Sequence, residues 1–270
     1  MLKPRLIALL IVHDGIVVQS FNFNHYLPVG DLRVSIEFLN AWGIDEICII
    51  DIDATNESRE PDFRTLEMAV KNSMVPVSIG GGISNLSTVR NALLAGADKV
   101  VVNRAFIKRP DFITEIVSNF GAQCAVVSID AFELDGVFYC YDYLSRKKTD
   151  KTVEQALMIA EIVGAGEVLL NSVQSDGKGC GMNLRLARSL ANLVEIPLVL
   201  AGGVGKGKHL LDALQVQGVQ SVAAANIFNH FEHSPMVLKS FLQLNGVSQR
   251  ILEQGAYGAA EFDILERPVR

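Results

Sequence analysis

Pro76–Ile83 reads PVSIGGGI, and the second half of the chain repeats this pattern as PLVLAGGV at Pro197–Val204. Each copy is an apolar run that ends in glycines. Each is followed by a further apolar run, GADKVVVN at Gly96–Asn103 and GVQSVAAAN at Gly218–Asn226. Glycines let backbone N–H groups approach an anion closely, and a following helix directs its positive end toward that anion. The repeat therefore predicts two phosphate sites on one duplicated scaffold, and a substrate with a phosphate at each end.

Short apolar runs alternate with helix-like stretches along the whole chain. Eight strand–helix units are the number that closes a parallel barrel, and an open doubly wound sheet is the competing architecture. The duplication favours the barrel, because two joined halves of four units leave no edge strand. We expect a single (βα)8 TIM barrel built from two duplicated half-barrels over residues 1–250, with a C-terminal extension over residues 251–270. The predicted strands are Leu6–Val12, Ile47–Ile52, Val75–Ile79, Lys99–Asn103, Cys124–Ile129, Glu167–Asn171, Leu198–Ala201 and Val219–Ala224.

Three of the intervening helices have clear signals at their ends. Asp31 is a suitable N-cap for a helix that Gly43 would end. Pro110 fits the first turn of a helix that Gly121 would end, and Asn183 is a suitable N-cap for a third. These signals predict helices between the strands, as the barrel requires.

Composition limits the class of protein. The chain has 270 residues, 49% of them hydrophobic, and a formal net charge of −6, and it has no basic cluster beyond Arg146–Lys148, which argues against nucleic-acid binding. The first apolar run is too short to span a membrane, so we expect a cytoplasmic protein. The cysteines show no C-x-x-C spacing, so buried free thiols are expected at Cys48 and Cys124. No metal or cofactor is predicted.

The carboxyl ends of barrel strands are where active sites form. Asp130 ends the fifth predicted strand, and a partly desolvated carboxylate there can have a raised pKa and transfer protons. A helix-capping or loop-fixing aspartate is the alternative, and for Asp51 the two interpretations stand equal. Two long connections, over residues 13–30 and 132–149, are expected to be loops, and we predict that the first is a mobile lid.

A set of short motifs is spread over about residues 1–250, namely Asp14–Gly15, Val17–Val18, Phe21–Phe23, Gly30–Asp31, Gly80–Ile83, Gly96–Lys99, Ile129–Asp130, Gly164–Glu167, Asp176–Gly177 and Ala201–Gly203. Together they resemble the cyclase subunit of imidazole glycerol phosphate synthase, the barrel that takes ammonia from a glutaminase partner during histidine biosynthesis. The resemblance implies a lyase in a heterodimer, which adds ammonia to a doubly phosphorylated ribulosyl-formimino-carboxamide ribotide and closes its imidazole ring. The sister isomerase of that pathway shares the duplicated barrel, but the lid and the start of the sixth strand are similar to those of the cyclase.

The resemblance also implies roles for individual residues. Asp130 matches one of the family's two catalytic acids. One substrate phosphate would lie against Gly81, Gly82 and Asn103. The other would lie against Asp176, Gly177, Gly202, Gly203, Ala224 and Ala225. A ring of charges that gates ammonia in the family is matched by Arg5, Glu46, Lys99 and Glu167.

The chain departs from the family at three positions. Ile11 stands where the second catalytic acid should end the first strand, Gln19 replaces a lid lysine, and Arg104 replaces a small hydroxyl residue. A positioned acid or base supplies about 10²–10⁴-fold in rate, and isoleucine transfers no proton. Asp14 could replace the acid only if its turn folded inward. A second hypothesis is therefore a divergent paralogue that has lost the cyclase reaction and channels ammonia to another acceptor, such as amidination of bacterial surface sugars.

Overall fold

The computed structural model describes residues 3–71 and 73–250, together with the backbone of two short strands near the C-terminus. Its strands, numbered in chain order, are β1 (Arg5–His13), β2 (Ile16–Phe21), β3 (His25–Gly30), β4 (Glu46–Asp51), β5 (Val77–Gly80), β6 (Lys99–Val102), β7 (Ala125–Leu134), β8 (Val137–Asp142), β9 (Lys147–Thr152), β10 (Glu167–Ser172), β11 (Leu198–Ala201), β12 (Val219–Ala224), β13 (Glu261–Phe262) and β14 (Pro268–Val269). The last two pair with each other within the predicted extension, residues 251–270, whose other residues lie outside the described part of the chain.

The helices alternate with the strands in the way the sequence predicts. They are α1 (Leu32–Ala41), α2 (Ile52–Asn56), α3 (Phe63–Val70), α4 (Leu86–Leu94), α5 (Arg104–Lys108), α6 (Asp111–Phe120), α7 (Val153–Ile162), α8 (Leu184–Leu190), α9 (Gly207–Leu214) and α10 (Ser234–Leu244). Within the described ranges, none of these helices combines the length and the apolar composition that spanning a bilayer demands.

Eight parallel strands close into a barrel, which confirms the predicted (βα)8 architecture. Around the barrel the order is β1, β4, β5, β6, β7, β10, β11 and β12, and β12 pairs with β1 again. Seven of the eight predicted strands lie within two residues of the observed bounds, whereas the fifth, β7, runs five residues further than predicted. The competing open sheet is excluded because it would leave β1 and β12 unpaired.

The strands are buried on both faces, which explains their nearly continuous apolar sequences. Successive side chains of a strand point to opposite faces, so one set packs against the helices and the other fills the barrel. The interior set forms its own cluster, consisting of Ile7, Cys48, Val101, Val126, Leu169, Val199, Ala201 and Ala223, with Leu9 and Ile50 packed against it.

The two long connections are antiparallel hairpins, and the prediction of loops was wrong. Strand β1 continues into β2 through the turn Asp14–Gly15, and β7 continues into β8 through Asp135–Gly136. All four turn residues have positive φ, which is the type I′ geometry that Asp-Gly favours between paired strands. Strands β3 and β9 then extend the two hairpins.

The predicted helix ends are confirmed to within about one residue. The Asp31 carboxylate accepts a hydrogen bond from Val34 N at 3.1 Å, and the Asn183 side chain accepts one from Leu186 N at 2.9 Å. Helix α6 begins after Pro110 and ends at Gly121, which has a φ of 89°. Among the cysteines, Cys48 is a buried free thiol as predicted, but Cys124 is only partly buried, because it lies in the short turn before β7 rather than within the strand.

Candidate active site at the mouth of the barrel

A cavity of about 970 Å³ opens at the carboxyl ends of the barrel strands. The sequence had placed ten residues at this mouth, and the fold brings all of them to the wall of this one cavity. They are Gly81, Gly82, Asn103, Asp130, Asp176, Gly177, Gly202, Gly203, Ala224 and Ala225. Their common position follows from topology, because parallel strands of a barrel all end on the same side.

Asp130 is a buried carboxyl group on the inner wall of β7. Burial raises its pKa to about 7, against the opposing effect of hydrogen bonds from Asn103 and Asn171. The Asn103 amide donates to Asp130 Oδ2 at 3.0 Å and to the Ser128 carbonyl at 3.1 Å. A carboxyl group with this pKa is present in both protonation states near neutral pH, so Asp130 is suited to acid–base chemistry.

The glycine run after β5 lies tightly against the neighbouring strand end. Gly81 has a φ of 94°, and a Cβ atom at this position would overlap the backbone carbonyl of Asp51. The Gly82 N–H donates to Thr55 Oγ1 at 3.1 Å. The close approach of backbone to backbone explains why this turn requires glycine, and it places the Gly81–Gly82 peptide at the cavity wall.

The second half of the barrel reproduces this arrangement. Gly203 has a φ of 92°, and a Cβ atom there would overlap the carbonyl of Gly181, whose own N–H donates to the Gly203 carbonyl at 2.8 Å. Gly202, Ala224 and Ala225 follow at the ends of β11 and β12. Glycine and alanine backbone therefore forms part of the wall at this end of the cavity, as it does at the first glycine run.

Asp176 holds the β2–β3 hairpin over the mouth. Its carboxylate accepts hydrogen bonds from Ser20 Oγ at 2.7 Å and from Phe23 N at 3.3 Å, and its carbonyl accepts one from Asn22 N at 3.2 Å. Burial raises the pKa of Asp176, whereas the Ser20 hydroxyl opposes that change. The Asn226 side chain pairs with both the N–H and the carbonyl of Ser20, at 3.2 and 2.9 Å. Asp176 thus fixes the hairpin through its side chain and its backbone.

The two hairpins also meet each other above the cavity. Arg146 Nη1 donates to Asn24 Oδ1 at 2.6 Å, and the rings of Phe23 and Tyr141 lie 6.5 Å apart. The basic segment Arg146–Lys148, which the sequence analysis set aside as a basic cluster, therefore begins at a contact between the hairpins.

Asp51 acts as a structural aspartate. Its carboxylate accepts hydrogen bonds from the N–H groups of Asp53 and Ala54, which caps α2, and it pairs with Arg59 at 2.7 Å. Of the two alternatives for Asp51, the structure supports helix capping.

Arg104, which replaces a small hydroxyl residue of the family, lines the cavity, and its side chain lies 3.5 Å from the Asp142 carboxylate.

The inner face of β1 ends in His13, a strand-end residue to which the sequence analysis assigned no role. Ile11 and His13 both line the cavity, and His13 Nδ1 lies 2.7 Å from Asp53 Oδ1. Asp14 does not fold inward, since its side chain is 84% exposed. In the described part of the chain, one group of three histidine, cysteine or acidic residues has its ligand atoms close enough together to hold a metal ion. It consists of His13, Asp14 and Asp53, whose ligand atoms all lie within 4.8 Å of one another. The carboxylate of Asp53 is already occupied by His13 and by the Asp14 N–H, at 2.7 Å each.

A closed ring of alternating charges lies at the opposite end of the barrel. Its members are the first residues of β1, β4, β6 and β10, namely Arg5, Glu46, Lys99 and Glu167. Arg5 contacts both glutamates, with 2.7 Å to Glu46, and Lys99 lies 2.8 Å from Glu46 and 3.0 Å from Glu167. Burial by itself would lower the pKa of Arg5, but the hydrogen bonds and negative charges of the two glutamates outweigh it, so the Arg5 pKa is raised. We call this set the charge ring.

Comparisons with known proteins agree with this geometry. A family model described as "Histidine biosynthesis protein" matches residues 5–234. A Vibrio vulnificus protein named as imidazole glycerol phosphate synthase subunit hisF2 is 40% identical over 268 residues, which are 99% of this chain and 98% of that protein. The imidazole glycerol phosphate synthase subunit HisF of a Thermotoga species is 36% identical over 251 residues, which are 93% of this chain and 99% of that protein. The chain therefore belongs to the histidine biosynthesis protein family and, within it, to the HisF type of barrel.

Proposed function

We propose that this chain is a cyclase-type subunit of a heterodimeric glutamine amidotransferase. Ammonia released by a glutaminase partner enters through the charge ring and reacts in the cavity with a substrate that carries two phosphates. The observation that carries the proposal is the charge ring at one end of the barrel interior with a large cavity at the other end. The names of the two relatives favour a reaction of the histidine-biosynthesis type.

The charge ring suits the passage of a small neutral molecule. Two cations and two anions neutralise one another at a site where Glu46 and Glu167 are almost completely buried. The interior beyond the ring is the apolar cluster that contains Val126 and the small residues Ala201 and Ala223. Ammonium would lose its hydration there without compensation, whereas neutral ammonia would not. Displacement of the Lys99 side chain, a flexible chain bound by two ion pairs, would open the ring.

Exposed apolar side chains surround the same end of the barrel. Met74, Leu94 and Ile162 are 89%, 78% and 81% exposed, and Leu193 is 42% exposed. Each lies at or just after the carboxyl end of a helix and precedes a barrel strand, so all four belong to the end that carries the charge ring. Exposed apolar groups that share one face of a soluble protein support a protein partner at that face. A glutaminase that docks there would release ammonia directly at the ring.

The cavity has the properties needed to bind a substrate with two anionic ends. Its volume lies at the upper end of the usual range of ligand pockets. One phosphate would bind near the peptide of Gly81 and Gly82 and near Asn103. Arg59, Arg104 and Lys108 line the cavity as well and supply positive charge. The other phosphate would bind at the second end, near Asp176, Gly177, Gly202, Gly203, Ala224 and Ala225.

Asp130 would transfer protons at the centre of this substrate. Its raised pKa supports that role, since the group can donate and accept protons near pH 7. Ile11, on the inner face of β1, favours a second candidate function. With an apolar side chain where the family places its other acid, the chain would channel ammonia to a different acceptor, such as a bacterial surface sugar that is amidinated.

Substitution of Ile11 separates the two candidates, since turnover by the wild type supports the cyclase-type reaction, whereas an inactive wild type beside an active Ile11→Asp variant supports the second candidate. The purified protein is incubated with ammonium salt and the doubly phosphorylated ribulosyl-formimino-carboxamide ribotide, and consumption of the substrate is measured for the wild type, Ile11→Asp and Ile11→Asn. We expect Ile11→Asp to be about 10²-fold faster than the wild type. Ile11→Asn is the control, because asparagine has the same shape as aspartate but has no carboxyl group to transfer a proton. It should not be faster than the wild type. No turnover by any of the three would refute the cyclase-type site.

The glutaminase partner is tested at the charge ring. With glutamine and a saturating glutaminase, Lys99→Met should change the fraction of the ammonia released from glutamine that is consumed in the cavity. With added ammonium at the cavity side, it should have little effect. Lys147→Met is the matched control, because Lys147 is an exposed lysine of β9, on the hairpin at the mouth and away from both the ring and the face where the glutaminase would dock. If no glutaminase co-purifies with the chain or binds to it, both candidate functions are wrong.

A further inference from the structure

An imidazole occupies the inner face of the first strand, two residues beyond Ile11. Residues two apart in a strand share a face, and Leu9, Ile11 and His13 all line the cavity. Strands β1 and β7 are four places apart in the closed order of eight, so they form opposite walls of the barrel. His13 therefore lies across the mouth from Asp130, on the wall where Ile11 supplies no titratable group.

The contacts of His13 determine which ring nitrogen carries the hydrogen. Asp53 Oδ1 lies 2.7 Å from His13 Nδ1, and Asp53 Oδ2 accepts a hydrogen bond from the Asp14 N–H at 2.7 Å. An ionised carboxylate is an acceptor only, so Nδ1 donates its hydrogen to Asp53, and in the neutral ring the lone pair is then on Nε2. Asp53 is buried at the start of α2, which fixes its position. This is the arrangement in which a carboxylate orients a histidine base.

Two further groups surround the ring. Tyr26, from the β2–β3 hairpin, packs against it with ring centroids 4.9 Å apart. The Asp14 carboxylate lies 3.7 Å from Nε2, but it is largely in solvent and leaves the ring half-exposed. The imidazole is thus held by a buried carboxylate on one side and by a hairpin residue on the other, and it remains accessible from the cavity.

We propose that His13, positioned by Asp53, is a second proton-transfer group of this site and supplies the chemistry that Ile11 cannot. The inference rests on the proposed use of ammonia in the cavity. His13 lies one strand repeat, about 7 Å, closer to the mouth than residue 11, so it acts on a substrate atom nearer the hairpins. His13 is the catalytic residue and Asp53 is the positioning residue.

The proton transfers balance as follows for attack on a carbonyl carbon. The ammonia nitrogen forms a C–N bond to that carbon while the C=O π bond breaks and its electron pair moves to oxygen, and one proton passes from the nitrogen to His13 Nε2. The Asp130 carboxylic acid gives one proton to the carbonyl oxygen, which yields a carbinolamine. One proton returned from the imidazolium to the Asp130 carboxylate through solvent then restores both groups.

Paired substitutions at positions 11 and 13 test the proposal. In the wild-type background, His13→Gln should lower kcat for ammonium-dependent consumption of the cyclase substrate by about 10²-fold, with KM nearly unchanged. In the Ile11→Asp background the same change should have little effect, because the restored acid performs the transfer. Asp53→Asn should lower kcat in the wild-type background and have little effect in the Ile11→Asp background, as His13→Gln does. Asp135→Asn is the control and should leave kcat unchanged, since Asp135 is exposed in the corresponding Asp-Gly turn of the β7–β8 hairpin, away from the cavity wall, and asparagine tolerates the turn conformation.

A histidine with a purely structural role would give a different result, because His13→Gln would then lower kcat equally in both backgrounds. That outcome would overturn the inference. So would an inactive wild type beside an active Ile11→Asp variant, whereas inactivity of both would refute the proposed function itself.

The tautomer of His13 provides a readout that needs no substrate. Heteronuclear NMR of ¹⁵N-histidine-labelled protein should show the Nδ1–H form for the His13 ring, identified by its loss in His13→Gln. The Asp53→Asn variant should lose this preference. A His13 ring protonated on Nε2 alone in the wild type would overturn the inference whatever the kinetics show.

Discussion

Replacement of Asp130 by asparagine should stabilise the protein, and more strongly at high pH. Asparagine has nearly the same shape and can still accept the hydrogen bond from Asn103. It carries no charge, however, and the charge is what burial at the end of β7 makes unfavourable. A carboxylate that the proposed reaction requires is therefore predicted to lower the free energy of unfolding.

The magnitude follows from the pKa of Asp130. Folding raises it from 3.8 to about 7, and each pKa unit corresponds to about 1.4 kcal/mol. Between these two values the folded state binds more protons than the unfolded state, so stability falls as pH rises through the window. The loss of unfolding free energy that Asp130 causes is absent well below pH 3.8, grows through pH 5 and 6, and reaches its full size of about 4 kcal/mol above pH 7. From pH 5 to pH 8 the change amounts to about 2–3 kcal/mol.

Urea unfolding of the wild type and Asp130→Asn at pH 5 and pH 8 measures this quantity. The difference between the two proteins should grow by about 2–3 kcal/mol in favour of Asp130→Asn at the higher pH. Effects of the substitution that do not depend on pH cancel in this comparison. The variant should also lose at least about 10²-fold in kcat. A stability difference that is the same at both pH values would show that Asp130 titrates normally, and the proton-transfer role would lose its support.

Three further substitutions test the scaffold. Lys99→Met should lower the free energy of unfolding in urea by about 3 kcal/mol, because Glu46 and Glu167 would then share only the positive charge of Arg5. Adding Glu46→Gln to Lys99→Met should recover part of that loss. If the effects of the two substitutions simply add, the charges of the ring are not coupled. Gly81→Ala should cost more than about 2 kcal/mol because of overlap with the Asp51 carbonyl, whereas the control Gly15→Ala, which meets no neighbour within 4 Å, should cost only about 1 kcal/mol of backbone strain. Arg146→Ala should change stability by less than about 1 kcal/mol but speed hydrogen exchange at residues 22–24, and unchanged exchange would show that the contact with Asn24 does not hold the hairpin.

Much of the architecture could be predicted from the sequence, because its determinants are local or periodic. Apolar runs with regular spacing predicted the eight barrel strands, and caps such as Asp31 and Asn183 predicted helix ends that depend on a few neighbouring backbone groups. The end of each strand then predicted which residues would share the mouth, since parallel strands in a barrel all end on one side. The charge ring was predicted by resemblance rather than by periodicity, because a charge at a strand start is by itself an ordinary surface feature.

The hairpins could also have been predicted from the sequence, through a signal that the analysis passed over. Asp14–Gly15 and Asp135–Gly136 are both two-residue Asp-Gly turns between alternating segments, a strong hairpin signature. Reading the residues that follow β1 and β7 as loops missed it. The packing of the β2–β3 hairpin over the cavity was not predictable in this way, because it depends on Asp176 and Asn226, more than 150 residues further along the chain.

The sequence by itself thus determined the barrel, its strand ends and the residues that reach the mouth, since these follow from short-range patterns and from the single closed topology that eight units allow. Only the tertiary structure decided what those residues do to one another. The contact between His13 and Asp53 was not predicted at all. A raised pKa for Asp130 was expected only from its place at a strand end, and the charge ring only from the resemblance, so the burial of the one and the contacts of the other come from the structure. Each of these depends on distances between strands that are far apart in the chain, and electrostatic effects are set by distance and burial rather than by order along the sequence.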